Sequence, residues 1–326
     1  MKPLLIAAFL IVSGAVYAEP IRSPDPSDVP VYDRYNVEVL AENFNRPWGL
    51  GFLPDGRMLI AERSGGIQLL SADGSERVAL SNVPKAYIGR QAGFFEALPH
   101  PDYTTNGWIY LSYAWGTDEA NGLRIARAQL DDSTLTNIEV LFTVAPLKEG
   151  GAHYGGRIAF LPDGTFAVGT GEGYNYREDS QKLDSLMGKV IRLNADGSIP
   201  SDNPFINDEN ARPEIWSYGH RNPQGLLYDD VAGILYLHEH GPRGGDEINV
   251  IEPGLNYGWP AITYGIEYSG AQVSPYTELP NMEQPLLYWV PSIAPSGFVQ
   301  LRDSQFTQWD GDFLVSTLAG KELRYV

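Results

Sequence analysis

One pattern, two apolar segments joined by a short polar turn, occurs five times along the sequence. In its clearest copies the turn reads Pro-Asp-Gly, where proline fixes its own φ angle and aspartate and glycine favour the bend. The copies are spaced irregularly, about 50 to 80 residues apart, which is longer than in a simple repeat array. Strand–turn–strand units at such distances predict a β-propeller with long loops between strands. The copies are FLPDGRMLIAE (52–62), HPDYTTNGWIYLSY (100–113), FLPDGTFAVGTGE (160–172), LLYDDVAGILYLHE (226–239) and FTQWDGDFLVSTLAG (306–320).

The rest of the sequence has little helical periodicity, so we expect an all-β chain. The segment VEVLAENF (37–44) alternates apolar and polar residues, which predicts a strand. Residues 179–194 begin with a helix-like pattern capped by Asp179 or Ser180, and they continue into a predicted strand, KVIRLN. The last residues, 323–326, also have the composition of a strand, so the sequence ends inside a repeat unit. We therefore expect an incomplete last blade with an open strand edge.

The N-terminal residues 1–18 have the parts of a secretory signal peptide. Lys2 supplies the positive charge, LLIAAFLIV the apolar centre, and residues 16–18 the cleavage region. We expect a protein exported to the periplasm or secreted; a retained N-terminal anchor is the alternative. Residues 19–36 are rich in proline, serine and aspartate, which predicts a leader or linker before a propeller domain at 37–326.

The net charge of −18 at pH 7 argues against nonspecific binding to nucleic acid or to an anionic membrane surface. After the N-terminal segment, nothing approaches the roughly 20 apolar residues that a membrane-spanning helix needs. The absence of cysteine excludes disulfides, thiol nucleophiles and cysteine metal sites. An acidic surface of this kind is instead suited to divalent cations such as calcium.

Residues 215–259 contain three of the five histidines and form the best candidate for a functional region. Their middle predicts a hairpin, GLLYD and ILYLHE around a turn at 230–233, with a polar, glycine-rich flank on each side. A hairpin brings its two flanks to the same end, so Arg221 and Asn222 would share a surface with His240-Gly241-Pro242 and Asp246-Glu247. Basic donors, free carbonyls and carboxylates together suit an anionic ligand with a hard cation.

Motifs that occur in one order from about residue 37 to the end carry a family resemblance. They are PWGLGFLPDG (47–56), RQAGFFEALPHPDY (90–103), HYGGRIAFLPDG (153–164), LMGKVIRLNADGSIPSDNPF (186–205), EIWSYGHRNPQGL (214–226), EHGPRGGDEIN (239–249), NYGWPAITYGIEYSG (256–270) and PSIAPSG (291–297). The chain resembles the soluble PQQ-dependent aldose sugar dehydrogenases of the glucose/sorbosone dehydrogenase family. This resemblance implies an exported six-bladed β-propeller that oxidises aldose sugars at the anomeric carbon to the lactone. It also implies PQQ and Ca²⁺ as cofactors and an external electron acceptor; we expect a monomer or a homodimer.

His153, in GGAHYGGR, matches the general base of this family, which takes the proton from the anomeric hydroxyl of the sugar. Imidazole suits this task because its pKa lies near working pH. The alternative is a loop histidine that is bonded to a backbone carbonyl. The preceding residue is Ala152, where the family often has a polar residue that could orient the histidine.

By the same resemblance, Gln91, Arg221, Asn222 and Tyr268 would contact PQQ. The chemistry supports Arg221 best, because PQQ is a planar tricarboxylate and a guanidinium presents a planar fork of donors. Arg221 would also act in catalysis by stabilising the reduced, negatively charged cofactor. The alternatives are an amide that caps a turn for Gln91, a surface ion pair for Arg221 and a packing aromatic for Tyr268.

The resemblance further implies two calcium sites. The backbone carbonyls of Gly241 and Pro242 would bind an active-site Ca²⁺ that polarises the quinone carbonyl. Glu247 and the backbone oxygen of Tyr257 would belong to a second, structural site. The alternative for Glu247 is a solvated carboxylate beside Arg243.

The sequence departs from the family pattern near its C-terminus. Family members often have a lysine close to PQQ where this chain has Ala319, and Lys321 is the candidate substitute. Arginines that the family places further downstream have no counterpart before residue 326. Two other functions therefore stay open. One is a noncatalytic propeller that binds a sugar or a protein partner. The other is a calcium-dependent, lactonase-like hydrolase, which would need several carboxylates or amides around one cation.

Overall fold

The computed structural model describes residues 19–24, 31 and 35–326. The predicted signal peptide at 1–18 lies outside the described residues and stays a prediction. Helix is scarce in the described part of the chain, as expected: one turn, α1 (Tyr103–Asn106), and two 3₁₀ segments, Arg177–Gln181 and Thr307–Trp309. None of the helices in these residues is long and apolar enough to cross a membrane.

Strands make up most of the regular structure. They are β1 (Ile21–Arg22), β2 (Pro47–Phe52), β3 (Met58–Glu62), β4 (Gly66–Leu70), β5 (Arg77–Ala79), β6 (Phe94–Pro99), β7 (Trp108–Gly116), β8 (Asn121–Asp131), β9 (Thr134–Thr143), β10 (Gly155–Phe160), β11 (Thr165–Thr170), β12 (Lys189–Asn194), β13 (Ile215–Tyr218), β14 (Pro223–Asp229), β15 (Ile234–Glu239), β16 (Asp246–Ile251), β17 (Leu287–Trp289), β18 (Pro295–Gln300), β19 (Phe313–Thr317) and β20 (Leu323–Tyr325).

Consecutive strands pair antiparallel into five sheets: β2–β5, β6–β9, β10–β13, β14–β17 and β18–β20. The first strand of each sheet contacts the first strand of the next, which is the arrangement of blades in a β-propeller. The two-residue strand β1 joins the outer edge of the fourth sheet in parallel with β17. The described residues thus form a five-bladed β-propeller, and the predicted number of six blades is not confirmed. The fifth sheet has three strands, which agrees with the expected incomplete last blade.

Arg157 on β10 connects the first strands of all five blades. Its Nε donates to the Gln224 carbonyl of β14 at 2.7 Å, and its Nη1 forms an ion pair with Glu96 of β6. Its Nη2 lies 3.4 Å from the Trp48 carbonyl of β2 and 3.4 Å from the Ser296 carbonyl of β18. One half-buried cation therefore holds the inner strands together, so the loops at their ends keep a fixed spacing.

Apolar side chains from adjacent blades pack against each other and form the core. Leu59 of the first blade packs with Phe94 and Leu111 of the second, and the second and third blades share a cluster that includes Phe166. Similar clusters join the third blade to the fourth and the fourth to the fifth. Burial of each such side chain contributes about 1.5–3 kcal/mol, so contact between blades is the main stabilising term.

The predicted Pro-Asp-Gly turns are confirmed. The Gly56 N–H donates to the Leu53 carbonyl at 2.9 Å, and the Gly164 N–H donates to the Leu161 carbonyl at 3.1 Å. Both glycines have positive φ angles, 88° and 82°, which other residues adopt at an energetic cost.

The predictions outside the repeats had mixed outcomes. The predicted strand at 37–44 is wrong: these residues have irregular backbone, and Val37 and Val39 are 78% and 66% exposed. The alternating apolar side chains of this segment are not buried. Burial of such side chains against a sheet is what normally stabilises a strand. The predicted short helix is the 3₁₀ segment Arg177–Gln181, which begins two residues before Asp179. The strands KVIRLN and 323–326 are present as β12 and β20.

Candidate active site

His153 lies in the loop between β9 and β10, and the Gln91 side chain holds its backbone. The His153 N–H donates to Gln91 Oε1 at 2.8 Å, and the Gln91 N–H donates to the Gly151 carbonyl at 2.6 Å. His153 has a φ of 49°, in the left-handed region that non-glycine residues rarely adopt. The structure therefore brings together two of the predicted site residues, and Gln91 supports the strained backbone of the other.

The His153 ring is paired with Glu172, a residue that the sequence analysis missed. Nδ1 of His153 lies 2.7 Å from Oε1 of Glu172, and the two side chains are only 5% and 2% exposed. Glu172 follows the end of β11, so its carboxylate lies at the same edge of the third blade as the loop before β10. A carboxylate directly after the strand in GTGEG was the available signal.

Burial lowers the pKa of His153 to about 4, and repulsion from Arg221 and His240 adds to this effect while Glu172 opposes it. The imidazole is therefore neutral at pH 7. With its Nδ1–H donated to Glu172, the Nε2 atom is left with a free lone pair, as a general base requires.

Tyr174 packs against the buried ring of His153, and Arg90 packs against Tyr174. The Tyr174 ring meets the imidazole edge-on, with ring centres 5.2 Å apart. The Arg90 guanidinium lies 4.9 Å from the centre of the Tyr174 ring. An aromatic ring that is partly exposed beside the base is a suitable surface for the apolar face of a sugar.

Arg221 and Asn222 connect β13 to β14, and the Glu239 carboxylate fixes their backbone. Glu239 Oε2 accepts from the Arg221 N–H at 2.5 Å and the Asn222 N–H at 3.2 Å. Glu239 Oε1 lies 2.9 Å from Nδ1 of His220. Two buried atoms of this pair, Nε of Arg221 and Oδ1 of Asn222, have no hydrogen-bond partner within the described ranges. Buried polar atoms without partners are uncommon and mark a place where a ligand would supply them.

Glu172, the partner of His153, is connected to Arg221 by a hydrogen bond between their backbones. The Glu172 N–H donates to the Arg221 carbonyl at 2.9 Å. The Arg221 side chain makes further contacts. Its Nη1 donates to the carbonyls of His240 at 3.0 Å and Gly241 at 2.7 Å. The guanidinium lies 5.2 Å from the centre of the Trp259 ring. The two predicted catalytic residues, His153 and Arg221, therefore belong to one connected group.

A small cavity of about 20 Å³ lies beside Arg221. Three of the four predicted calcium-binding residues line it, namely Gly241, Glu247 and Tyr257. Burial raises the pKa of Glu247 to about 8, and the nearby carboxylates of Glu239 and Asp246 add to the effect. A cation in the cavity would remove this penalty for the Glu247 carboxylate. The other lining residues are Glu239, His240, Gly245, Trp259, Ile262 and Thr263.

Within the described ranges, no group of three or more His, Cys, Asp or Glu side chains is arranged to hold a metal ion. The Gly241 carbonyl accepts from Arg221, and the neighbouring Asp246 has a structural role. Asp246 Oδ1 accepts from the Gly241 N–H at 2.9 Å, and its Oδ2 accepts from the N–H groups of Ile293 and Ala294 at 2.8 and 2.9 Å. Calcium binding at this place would thus depend mainly on backbone carbonyls and Glu247.

Tyr268 and Lys321 are not among the residues that line the cavity. Tyr268 is 61% exposed and lies in the turn that the Gly270 N–H closes onto the Glu267 carbonyl at 2.8 Å. Lys321 is exposed between β19 and β20, with a φ of 52°. Their predicted contact with a cofactor stays a prediction.

Fold and site together define a β-propeller whose loops carry a histidine–carboxylate pair next to a buried arginine. Comparison with known proteins identifies this class as the propeller sugar dehydrogenases. The chain belongs to the glucose/sorbosone dehydrogenase family, since the family model described as Glucose / Sorbosone dehydrogenase matches residues 44–326.

Individual relatives agree with this assignment. The chain is 40% identical to the aldose sugar dehydrogenase YliI of Escherichia coli over 294 residues, which is 88% of this chain and 79% of that protein. The crystal structure of the soluble aldose sugar dehydrogenase of E. coli in its apo-form superimposes with a TM-score of 0.85 at 39% identity, covering 89% of this chain and 85% of the other. The PQQ-bound aldose sugar dehydrogenase of Streptomyces coelicolor gives 0.72 at 30% identity, covering 88% and 78%.

Proposed function

We propose that this protein oxidises aldose sugars at the anomeric carbon to the lactone, with PQQ as cofactor. The observation that carries the proposal is the 2.7 Å contact between His153 Nδ1 and Glu172 Oε1 in a group that also includes Arg221. A base alone would serve many reactions. The relative in S. coelicolor that binds PQQ supports an oxidation with that cofactor.

The residues present fit an anionic quinone. Arg221 has a buried Nε donor without a hydrogen-bond partner in the described part of the chain, and a carboxylate of the quinone would accept from it. Arg221 and Asn222 would hold PQQ, and Gln91 would keep the His153 loop in place next to it. When bound, PQQ supplies a carbonyl carbon that accepts hydride from the sugar.

The protein's own residues accept and stabilise the proton that leaves the sugar. His153 Nε2 takes the proton of the anomeric hydroxyl as the C1–H bond breaks, so the anomeric oxygen becomes the lactone carbonyl. Glu172 holds Nδ1–H and stabilises the positive charge that appears on the imidazole. The Arg221 guanidinium provides positive charge on the side where negative charge develops.

Calcium is the second part of the proposal. The carbonyls of Gly241 and Pro242 would bind a Ca²⁺ that acts as a Lewis acid, and Glu247 with Tyr257 would bind a structural ion. The position of Glu247 in the wall of the cavity supports this, because a half-buried carboxylate beside Glu239 and Asp246 is costly without a cation. We further propose that the protein is exported to the periplasm or secreted after cleavage at residue 18. A leader at 19–36 would precede a propeller domain at 37–326. An external acceptor would take the electrons. Six blades remain the proposed number for the family fold.

Reconstitution tests the proposal. The purified chain is given PQQ and Ca²⁺, and both cofactor absorbance and dye reduction are followed on addition of several aldoses. We expect sugar-dependent dye reduction that requires PQQ and disappears in His153→Ala. The matched control is His100→Ala, a histidine of the second blade that bonds Asn106 away from the site. No PQQ binding by the folded chain would contradict the proposal.

A noncatalytic sugar-binding propeller is the second candidate. The observation in its favour is that Tyr268 and Lys321 do not line the cavity, and that Ala152 and Ala319 stand at two positions where the family often has polar residues. PQQ or sugar binding without turnover, with His153 intact, would support it.

A further inference from the structure

Lys148 is a buried lysine that the proposed reaction does not use. Its side chain is 4% exposed, and its Nζ donates to the Gly150 carbonyl at 2.8 Å and to Asn121 Oδ1 at 3.2 Å. The Nζ atom also lies 3.9 Å from the centre of the Tyr154 ring. Lysine is almost never buried to this degree without a specific compensating environment, because transfer of its charge from water is costly.

The position of Lys148 relates it to the catalytic loop. Its backbone pairs with Asn121 in both directions, N–H to carbonyl at 2.8 and 2.9 Å, which fixes the start of the loop that leads to His153. The Nζ bond to Gly150 fixes the same loop three residues before His153. Tyr154 also stabilises this loop, because its hydroxyl donates a hydrogen bond to Asn121 Oδ1 at 2.5 Å.

The stem of Lys148 also runs against the residue that follows Glu172. A Cβ atom on Gly173 would lie 2.7 Å from Lys148 Cδ and 3.6 Å from Cε, so the lysine occupies the space where a side chain would be. Oε2 of Glu172 is buried and has no hydrogen-bond partner among the residues that the structure describes. A positive charge in its neighbourhood compensates a buried carboxylate oxygen that lacks a hydrogen-bond partner.

We propose that Lys148 is a positioning residue for the base: its hydrogen bonds hold the loop that carries His153, and its stem packs against the loop that carries Glu172. This inference rests on the proposed function of His153 as a general base. The Glu172 carboxylate in turn holds the imidazole through Nδ1 and leaves Nε2 free.

The charges around this group are consistent with the assignment. Burial lowers the pKa of Lys148 to about 8, while Glu172 and Asp118 oppose the shift, so the lysine is charged at pH 7. The charged and titratable groups that act on His153 are Glu172, Arg221 and His240. The Tyr174 ring faces His153, and the Tyr154 ring faces Lys148. Of these groups, Glu172 is the one that acts on both His153 and Lys148.

The first experiment measures the pKa of Lys148 by NMR of its side chain in the protein without cofactor. Glu172→Gln is expected to lower this pKa by about 1, because a stabilising negative charge is removed. The matched control is Glu149→Gln, which removes an exposed carboxylate adjacent to Lys148 in the sequence and should leave the pKa nearly unchanged. An equal response to both variants, or none to Glu172→Gln, overturns the proposal. This readout does not require activity, so it fails or succeeds independently of the dehydrogenase function.

The second experiment follows the imidazole of His153 by NMR in Lys148→Met and Lys148→Arg. The methionine variant loses the Nζ hydrogen bonds to Asn121 and Gly150 that hold the loop, so the imidazole signals of His153 should shift from those of one tautomer towards those of a mixture of tautomers. Arginine keeps donors at this position and should restore part of the native spectrum. Lys182→Met, which removes an exposed lysine bound to Asp179 at 2.6 Å, is the control. A folded Lys148→Met protein with unchanged imidazole signals for His153 would show that the lysine only fills space. If Lys148→Met does not fold, the effect of Glu172→Gln on the pKa of Lys148 tests the proposal by itself.

Discussion

The Nδ1 atom of His153 lies 2.7 Å from Oε1 of Glu172, and both side chains are almost completely buried. The two residues come from the loops on either side of the β10–β11 hairpin, at the same edge of the third blade. Their pairing fixes the tautomer of the imidazole, and burial, which outweighs the opposing effect of Glu172 on the pKa, makes the neutral form the stable one at pH 7. The proposed base therefore depends on a partner nineteen positions away in the sequence.

Replacement of this partner should slow the chemical step. We expect Glu172→Gln in the PQQ-loaded protein to lower kcat by roughly 10- to 100-fold, because a neutral amide does not stabilise the charged imidazole. KM should change little, since Glu172 is buried behind the ring. Steady-state kinetics with an aldose and a dye measure both constants, and Glu178→Gln serves as an exposed control. A variant with unchanged kcat would show that the carboxylate has no part in orienting the base.

The pH profile of activity should report the buried state of His153. Its pKa is lowered from 6.5 to about 4, so the unprotonated base is already fully populated near pH 6. We expect kcat/KM to stay flat from pH 7 down to about pH 5 and to fall only as the pH approaches 4. A half-maximal value near pH 6.5 would instead indicate an ordinary exposed histidine.

Arg221 should control cofactor binding. Arg221→Ala removes a charged donor, and each lost charge-assisted hydrogen bond weakens binding by about 1.5–3 kcal/mol, or roughly 10- to 100-fold in Kd for PQQ. Arg221→Lys should recover only part of this, because an ammonium group does not reproduce the planar fork of the guanidinium. Fluorescence quenching on titration with PQQ measures the Kd. The exposed Arg243→Ala is the control, and equal weakening in both variants would point to a general charge effect rather than a contact.

The turn between β14 and β15 should show a pH-dependent stability. Burial acts to raise the pKa of Asp229, but hydrogen bonds from Gln300, the turn backbone and Arg302 outweigh it and lower the pKa from 3.8 to about 2. Because the folded pKa lies below the unfolded one, the stabilisation is complete above pH 3.8 and is lost as the pH falls towards 2.

Asp229→Asn should therefore lower the free energy of unfolding by about 1–2 kcal/mol at pH 6. The difference in free energy of unfolding between this variant and the native protein should be smaller at pH 3 than at pH 6. Urea unfolding followed by tryptophan fluorescence measures it. The exposed neighbour Asp230→Asn is the control. A constant difference between pH 6 and pH 3 would mean that the carboxylate charge does not contribute.

Much of the fold follows from local sequence. The Pro-Asp-Gly turns at Gly56 and Gly164 were predicted because turn geometry depends on a few adjacent residues, and β12 and β20 were predicted from their own composition. The strand predicted at 37–44 was wrong because alternation of apolar residues is local, whereas strand pairing requires an available sheet edge that buries them.

The sequence by itself determined the all-β class, the turns and the family motifs, because each of these depends on residue type and on neighbours along the chain. The family motifs in turn predict His153, Gln91 and Arg221 as site residues. Only the tertiary structure decided that Glu172 pairs with His153, that Lys148 lies beneath the same loop, and that Arg157 connects five blades. It also left Tyr268 and Lys321 outside the cavity. Such contacts join residues from different loops and blades, and their distances are set by how blades pack around the centre rather than by spacing in the sequence.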